Sequence, residues 1–222
     1  MKTAAILQPH YLPYCGFFKL ISLCDIFVFL DNVQFEKRSW QSRNRIKTPY
    51  GFRWLSVPVI KNHREIIKDV KICNSIKWQE EHWKAILCSY SRAEYFNKYK
   101  EFFEGIYSKK WENLADLDIA IIEFIAKELG LTATFVRASE LGVSGKRSEL
   151  LANICKKVGA DNYYSNIGSK VYMDKEKNFF DDAGIKVHYM EYEHPTYNQL
   201  FGDFISHLSA IDALFNTVNF IK

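Results

Sequence analysis

The residues of this chain best suited to chemistry lie between Gln8 and Lys47. The first group is a turn, Gln8-Pro9-His10-Tyr11-Leu12-Pro13-Tyr14-Cys15-Gly16-Phe17, carrying two prolines and a glycine. Gln8 and His10 leave the end of an apolar, strand-like run, Thr3 to Leu7, and a helix-like segment, Phe17 to Cys24, follows. Strand ends hold side chains rigidly, and the free amides that open a helix attract anions. His10 titrates near neutral pH and is the candidate general base; packing on aromatic neighbours is the alternative. Cys15 is either a reactive thiol or a small buried side chain of the turn.

Asp31 and Gln34 come directly after a second strand-like run, Asp25 to Leu30. A carboxylate at that strand end can orient His10, bind a sugar hydroxyl or accept a proton from an amine, or it can simply close an Asx turn. Trp40-Gln41-Ser42-Arg43-Asn44-Arg45-Ile46-Lys47 is next. Alternate side chains of an extended segment share a face, so Arg43, Arg45 and Lys47 are expected to line up. Arg suits phosphate or carboxylate, and Trp40 can stack on a base or sugar ring. A solvated edge strand with protective cations is the competing reading.

Further along are three polar clusters. Ser144-Gly145-Lys146-Arg147-Ser148 precedes a helix, with Ser148 the expected N-cap and Lys146 a phosphate contact only if capping is not its whole role. Ser165, Asn166, Ser169 and Lys170 follow a short strand and open a helix that reaches Tyr172, a second place for phosphate contact or a serine nucleophile. His194, Tyr197 and Gln199 follow the last strand. No HxxxH or HExxH pattern occurs, and no metal site is expected.

These residues need a scaffold of strand ends. Pro49-Tyr50-Gly51 predicts a turn between Ile46–Thr48 and Phe52–Val59, and Ile66 to Ile72 reads as a further strand. Trp78–Ser91, Tyr95–Tyr107 and Leu114–Leu129 read as amphipathic helices. Strand and helix then alternate: Thr132–Arg137, the helix Ser148–Val158, Asn162–Ser165, the helix Asp174–Ala183 and Lys186–Tyr192. An amphipathic tail runs from Phe201 to Phe215. The pattern predicts an α/β fold with a mostly parallel, Rossmann-like sheet and helices on both faces. One α/β domain over residues 1–222 is expected, with 76–130 a helical insertion.

With 30 basic and 26 acidic residues the net charge is +4, too mild for a nucleic-acid partner. Five cations against one acid between Glu36 and Lys47 suit a small anion such as a phosphate. The five dispersed cysteines, the lack of a signal-like start and the lack of a long apolar stretch predict a reduced, cytoplasmic protein without a membrane span.

Three stretches resemble the WbqC-like family: Gln8-Pro9-x-Tyr11-x-Pro13-x-x-Gly16-Phe17-Phe18, Asp25-x-Phe27-Val28-x-Leu30-Asp31-x-Val33-Gln34-Phe35 and Trp40-x-x-Arg43-Asn44-Arg45-Ile46. Gly168-Ser169-Lys170-x-Tyr172-x-Asp174, His194-Pro195-x-Tyr197-x-Gln199 and Leu208-Ser209-x-Ile211-Asp212 extend the match over nearly the whole chain. The resemblance implies a bacterial protein of polysaccharide and O-antigen assembly acting near sugar nucleotides. The expected activity is acyl or aminoacyl transfer to an amino-sugar nucleotide, with an acyl donor or carrier protein as second partner, an undefined cofactor requirement and scope for oligomers. Nucleotidyl or glycosyl transfer and a non-catalytic glycan-binding role are the alternatives. His10 and Asp31 are then the catalytic candidates. Gln8, Tyr11, Gln34, Trp40, Arg43, Asn44, Arg45, Lys47, Ser165, Asn166, Ser169, Lys170, Tyr172, His194, Tyr197 and Gln199 are the substrate-contacting candidates. The opening strand–turn–helix–strand is also similar at fold level to nucleotidyltransferases such as pantothenate synthetases. Their His-x-Gly-His turn is replaced here by Tyr14-Cys15-Gly16-Phe17, which removes the phosphate-stabilising histidines of that chemistry.

Overall fold

The first strand is apolar because it forms the middle of a sheet. The computed structural model describes residues 1–60 and 65–221, with the side chain of Tyr172 outside the described part. In chain order its elements begin β1 (Thr3–Leu7), α1 (Cys15–Ser22) and β2 (Ile26–Phe29). A hairpin, β3 (Arg43–Thr48) and β4 (Gly51–Ser56), precedes the helices α2 (Trp78–Tyr90), α3 (Phe96–Ser108) and α4 (Leu114–Glu128). Then come β5 (Thr134–Arg137), α5 (Arg147–Val158), β6 (Asn162–Asn166), the short turns α6 (Lys170–Met173) and α7 (Asn178–Asp181), β7 (Lys186–Met190) and α8 (Ala210–Asn216). These form two compact units, one of residues 1–8, 16–32 and 126–193, the other of 9–15, 33–125 and 194–222.

The first unit is a mixed α/β, Rossmann-like structure around a five-stranded sheet of order β5-β2-β1-β6-β7, parallel at every pairing. β2 is buried along its whole length and β1 at its three central residues, as the apolar runs Ile26-Phe27-Val28-Phe29 and Ala4-Ala5-Ile6 require. Phe27, Phe29 and Phe135 pack edge-on or stacked between β2 and β5. From β1 the chain moves to β2 on one side and later to β6 on the other, so the strand order reverses at β1. Ligands of open α/β sheets bind outside the carboxyl ends of the strands at such a reversal.

The second unit holds the hairpin, α2, α3, α8 and most of α4. Phe215 of α8 packs against Tyr90, Phe96, Tyr99 and Phe103, which gives the aromatic content of α2 and α3 its structural use. The helices expected between 76 and 130 therefore share a unit with the hairpin and the C-terminal helix.

Four local expectations are corrected. Ile66–Ile72 is not a strand: Ile67–Asp69 is a single 3-10 turn, and Gln34↔Ile66, Val59↔Ile72 and Lys71↔Asn113 are isolated bridges, so no continuous ladder forms. Residues 174–183 split into a 3-10 turn (Asp174–Glu176) and α7. In the tail only Ala210–Asn216 is helical, because Phe201 (φ 63°), Gly202 (φ 56°) and His207 (φ 56°) are left-handed and cannot propagate a right-handed helix. Ser148 does not cap α5: the helix already includes Arg147, Glu149 accepts from the Lys146 amide (3.3 Å), and the Ser148 amide donates to Glu176 (3.3 Å).

Candidate functional site

The residues singled out from the sequence fall into two sets, one in each unit. In the first unit, Gln8, Asp31, Asn166, Ser169 and Lys170 lie at or just beyond the carboxyl ends of β1, β2 and β6, where the parallel sheet directs its loops. Asp31 is fully buried and engaged: the Ser139 amide donates to Oδ1 (2.9 Å) and the Ser139 hydroxyl to Oδ2 (2.8 Å). This carboxylate ties the end of β2 to the turn after β5, a positioning role the sequence position did not reveal. Replacing Asp31 with Ala is expected to destabilise the protein by about 2–3 kcal/mol, since charge-assisted bonds of this kind are worth roughly that much. Urea unfolding of the two proteins checks it; a difference below about 0.5 kcal/mol, the scatter of neutral surface changes, contradicts it.

Ser165 and Ser169 sit together at the end of β6 with hydroxyls 2.7 Å apart. Ser169 donates to the Asn166 carbonyl (2.7 Å), so the proton between the two serines belongs to Ser165. Both hydroxyls are thus committed within the loop, and among the described residues no base addresses either one. The Lys170 ammonium lies 5.6 Å from the Tyr189 ring centre, and Tyr189 donates to Asp174 (2.7 Å).

In the second unit the turn is fixed from several sides. The Tyr11 amide donates to the Trp40 carbonyl (3.0 Å), the Asn44 side chain donates to the Leu12 carbonyl (2.7 Å), and the Ala210 amide donates to the Pro13 carbonyl (2.7 Å). These bonds hold Leu12 at φ 46°, a left-handed conformation that is costly for a leucine without such support. Asn44 is accordingly a buried strut of the turn. Tyr11 also points inward, its hydroxyl 2.8 Å from His82 Nδ1 and 2.7 Å from the Tyr107 hydroxyl. Burial lowers the pKa of His82 to about 4 and raises the phenols of Tyr11 and Tyr107. Burial lowers His10 to about 4 as well, so its imidazole is neutral near pH 7. Cys15 is buried; desolvation raises its pKa and the charge of Asp212 adds to the shift, so it is a protonated thiol and no nucleophile at neutral pH.

The hairpin divides its residues by parity. Arg43 faces Ser56, Arg45 faces Trp54 and Lys47 faces Phe52 across the ladder, so these six side chains share one face. The opposite face buries Ile46 and Leu55. On the polar face the Arg43 guanidinium lies 4.4 Å from the Trp54 ring centre, Arg45 lies 5.0 Å from Phe52 and 5.7 Å from Trp54, and Trp40 tilts against Trp54 at 5.6 Å. Trp40 (44%), Phe52 (48%) and Trp54 (39%) are all well exposed. Arg43 further borders a cavity of about 600 Å³ whose described lining includes Lys37, Arg38, Ser42 and Ser56, with Glu65 its one acid.

Lys47 departs from the expected row of three cations. It is 1% exposed and donates to Gln199 Oε1 (3.0 Å) and to the Asp203 carbonyl. Gln199 donates in turn to Asp212 Oδ1 (2.8 Å), Tyr197 donates to the same oxygen (2.9 Å), and Tyr90 donates to Oδ2 (2.9 Å). Burial raises the Asp212 pKa while these donors and the Lys47 charge oppose the shift. Lys47, Tyr197 and Gln199, each a candidate substrate contact in the sequence, are therefore brought together around a buried acid. His194 accepts from the His207 amide (3.2 Å) and stacks on the His207 ring at 4.6 Å; burial and the His207 charge lower its pKa to about 4. Gln34 is exposed, in a bridge with Ile66.

Sequence reasoning missed Phe52, Trp54 and Asp212. The first two were legible as aromatic residues of one parity in a strand; Asp212 was legible as an acid flanked by Ile211, Ala213, Leu214 and Phe215. Among the described residues no cluster of three His, Cys, Asp or Glu side chains is placed to hold a metal, and no helix is long and apolar enough to cross a membrane.

No solved structure matches this chain. A relative from Mycobacterium tuberculosis (strain ATCC 25618 / H37Rv), described as uncharacterized protein Rv1507c, is 33% identical over 220 residues, covering 97% of this chain and 94% of its own. The family model described as WbqC-like protein family matches residues 8–219, which takes in the turn, the hairpin, the sheet-edge loops and the Asp212 network. The chain belongs to the WbqC-like protein family.

Proposed function

We propose that this protein transfers an acyl or aminoacyl group to an amino-sugar nucleotide in the synthesis of bacterial surface polysaccharide, and that the β3–β4 hairpin holds the nucleotide part of that substrate. The observation that carries the binding claim is the exposed face on which Arg43 and Arg45 interleave with Trp54, Phe52 and Trp40. Exposed aromatic rings stack on bases and sugars, and guanidinium groups grip phosphate oxygens in bidentate fashion. Arg45 is held in place by its terminal NH₂ group, which donates to the His207 carbonyl (3.2 Å). Lys37, Arg38 and Arg43 around the adjoining cavity supply further positive charge. His10, in the turn of the same unit, is assigned as acceptor of the amine proton as the nitrogen bonds to the acyl carbon and the bond from that carbon to the donor breaks, the donor leaving with the electron pair. The choice of acyl transfer rests on the family resemblance and the lack of the His-x-Gly-His turn.

UDP-glucosamine is expected to raise the melting temperature, and Arg43→Ala or Arg45→Ala to weaken its binding by about 10-fold to 100-fold, the loss of one charge-assisted contact. Unchanged affinity in both variants sinks the hairpin assignment. Stabilisation by ATP or CTP in place of the amino-sugar nucleotide would favour nucleotidyl transfer.

A further inference from the structure

We infer that a second cavity in the unit containing the hairpin is a binding site for an uncharged, polyhydroxylated ring, that is, a neutral saccharide unit. The cavity measures about 410 Å³ and lies between residues 195–198 and the end of α8 with the segment after it. Its described lining contains no charged side chain: Asn198, Asn216 and Asn219 supply carboxamides, Thr196 and Thr217 hydroxyls, and Phe220 and Tyr197 rings. The contrast with the cavity beside Arg43, which carries three cations, separates the two by ligand charge.

Each carboxamide offers two donors and an acceptor, and each hydroxyl one donor and two acceptor lone pairs, so together they match the mixed donor–acceptor edge of a ring bearing adjacent hydroxyls. Much of that capacity is uncommitted. Asn216 uses its amide nitrogen on the Asp212 carbonyl (2.8 Å) and Asn219 its oxygen on the Ile221 amide (3.0 Å), leaving Oδ1 of the first and Nδ2 of the second for a ligand. The wall is also rigid, because Tyr197 is held through its hydroxyl by buried Asp212. Preplaced polar groups on a fixed wall and an aromatic surface are what orient a small ligand in a concave site. An anion would find no counter-charge among the described lining residues. The inference does not depend on the hairpin reading, although a saccharide unit here would accord with a substrate or product built from sugars.

Saturation-transfer NMR with methyl α-D-glucopyranoside, and with glucuronate as an anionic control, tests it. The neutral glycoside should receive saturation and glucuronate at least tenfold less. Asn198→Ala and the cavity-filling Thr196→Trp should each reduce the glycoside signal at least tenfold, with an unchanged melting temperature showing that both proteins fold. Arg43→Ala should leave the glycoside signal intact. No saturation of the glycoside, equal saturation of glucuronate, or a signal indifferent to both cavity variants overturns the inference. UDP-glucosamine binding is measured on the same samples, so failure of this site and failure of the hairpin are read separately.

Discussion

Replacing Asp212 with Ala is expected to destabilise the protein by about 3–5 kcal/mol, since each of several donors left without its acceptor costs roughly 1–3 kcal/mol. The size follows from what is left behind. Tyr90, Tyr197 and Gln199 all donate to this carboxylate, and Lys47, itself buried, reaches it through Gln199. Without Asp212, the buried Tyr90 hydroxyl and the half-buried Tyr197 and Gln199 donors lose their acceptor and one buried ammonium loses its nearby negative charge, and each orphaned group carries its own desolvation penalty. The network also joins β3 to α8, since the Lys47 amide donates to the Tyr90 hydroxyl (2.9 Å) and Tyr90 to Asp212. Asp212→Asn keeps the volume but turns an NH₂ group toward donors, so it should recover less than half of the loss. Removing the cation as well, in a Lys47→Met/Asp212→Asn pair, should cost less than the sum of the single changes. Chemical denaturation of the four proteins of that cycle and of Asp212→Ala measures this directly; additive losses, or an Asp212→Ala penalty below about 1 kcal/mol, would show that the network is not coupled.

The second large effect is a loss of stability between pH 6.5 and about 4. The pKa of His82 falls from 6.5 to about 4 on folding because burial disfavours the imidazolium. Across that window the unfolded chain binds a proton that the folded chain refuses, so stability rises with pH and is lost as the solution is acidified. A shift of this size corresponds to about 3 kcal/mol for His82 alone, at 1.36 kcal/mol per unit. His10 and His194 are lowered to about 4 as well and act in the same direction. Buried Asp118 works the other way. Among the described residues both its carboxylate oxygens lack a hydrogen-bond partner, and burial raises its pKa well above the usual range, so its contribution weakens stability as pH rises above about 4, where the unfolded carboxyl ionises first. Urea unfolding at pH 4.5, 5.5 and 6.5 should show wild-type stability falling toward acid and His82→Gln losing less over the same range. An identical pH slope in the two proteins would contradict the assignment. Asp118→Asn should steepen the acid loss, because it removes the opposing titration.

How much of this could be read from the sequence differs by region. Apolar runs such as Ala4-Ala5-Ile6 and Ile26-Phe27-Val28-Phe29, set between helical periods, are enough to specify a parallel sheet, because only strands covered on both faces are apolar at every position. The hairpin's turn and the parity of Arg43 and Arg45 are equally local, since side-chain alternation is a property of the extended backbone itself. Family membership also follows from the order of residues alone. Tertiary structure decided which polar groups remain available. By alternation Lys47 belongs with Arg43 and Arg45, yet Gln199 and Asp203, more than 150 residues away, remove it from solvent. The strand end offers Asp31 to a ligand, yet Ser139, 108 residues on, occupies both oxygens. The turn offers the Tyr11 hydroxyl, yet His82 and Tyr107 take it inward. A residue's type and local conformation set what bonds it can make; only the chain segments that pack on it determine whether those bonds are already made. For that reason the residues of the turn around Tyr11 and Leu12 emerge as a braced wall, while the exposed aromatic rings of the hairpin, with the half-buried Arg43 and Arg45 beside them, keep surface open to a ligand.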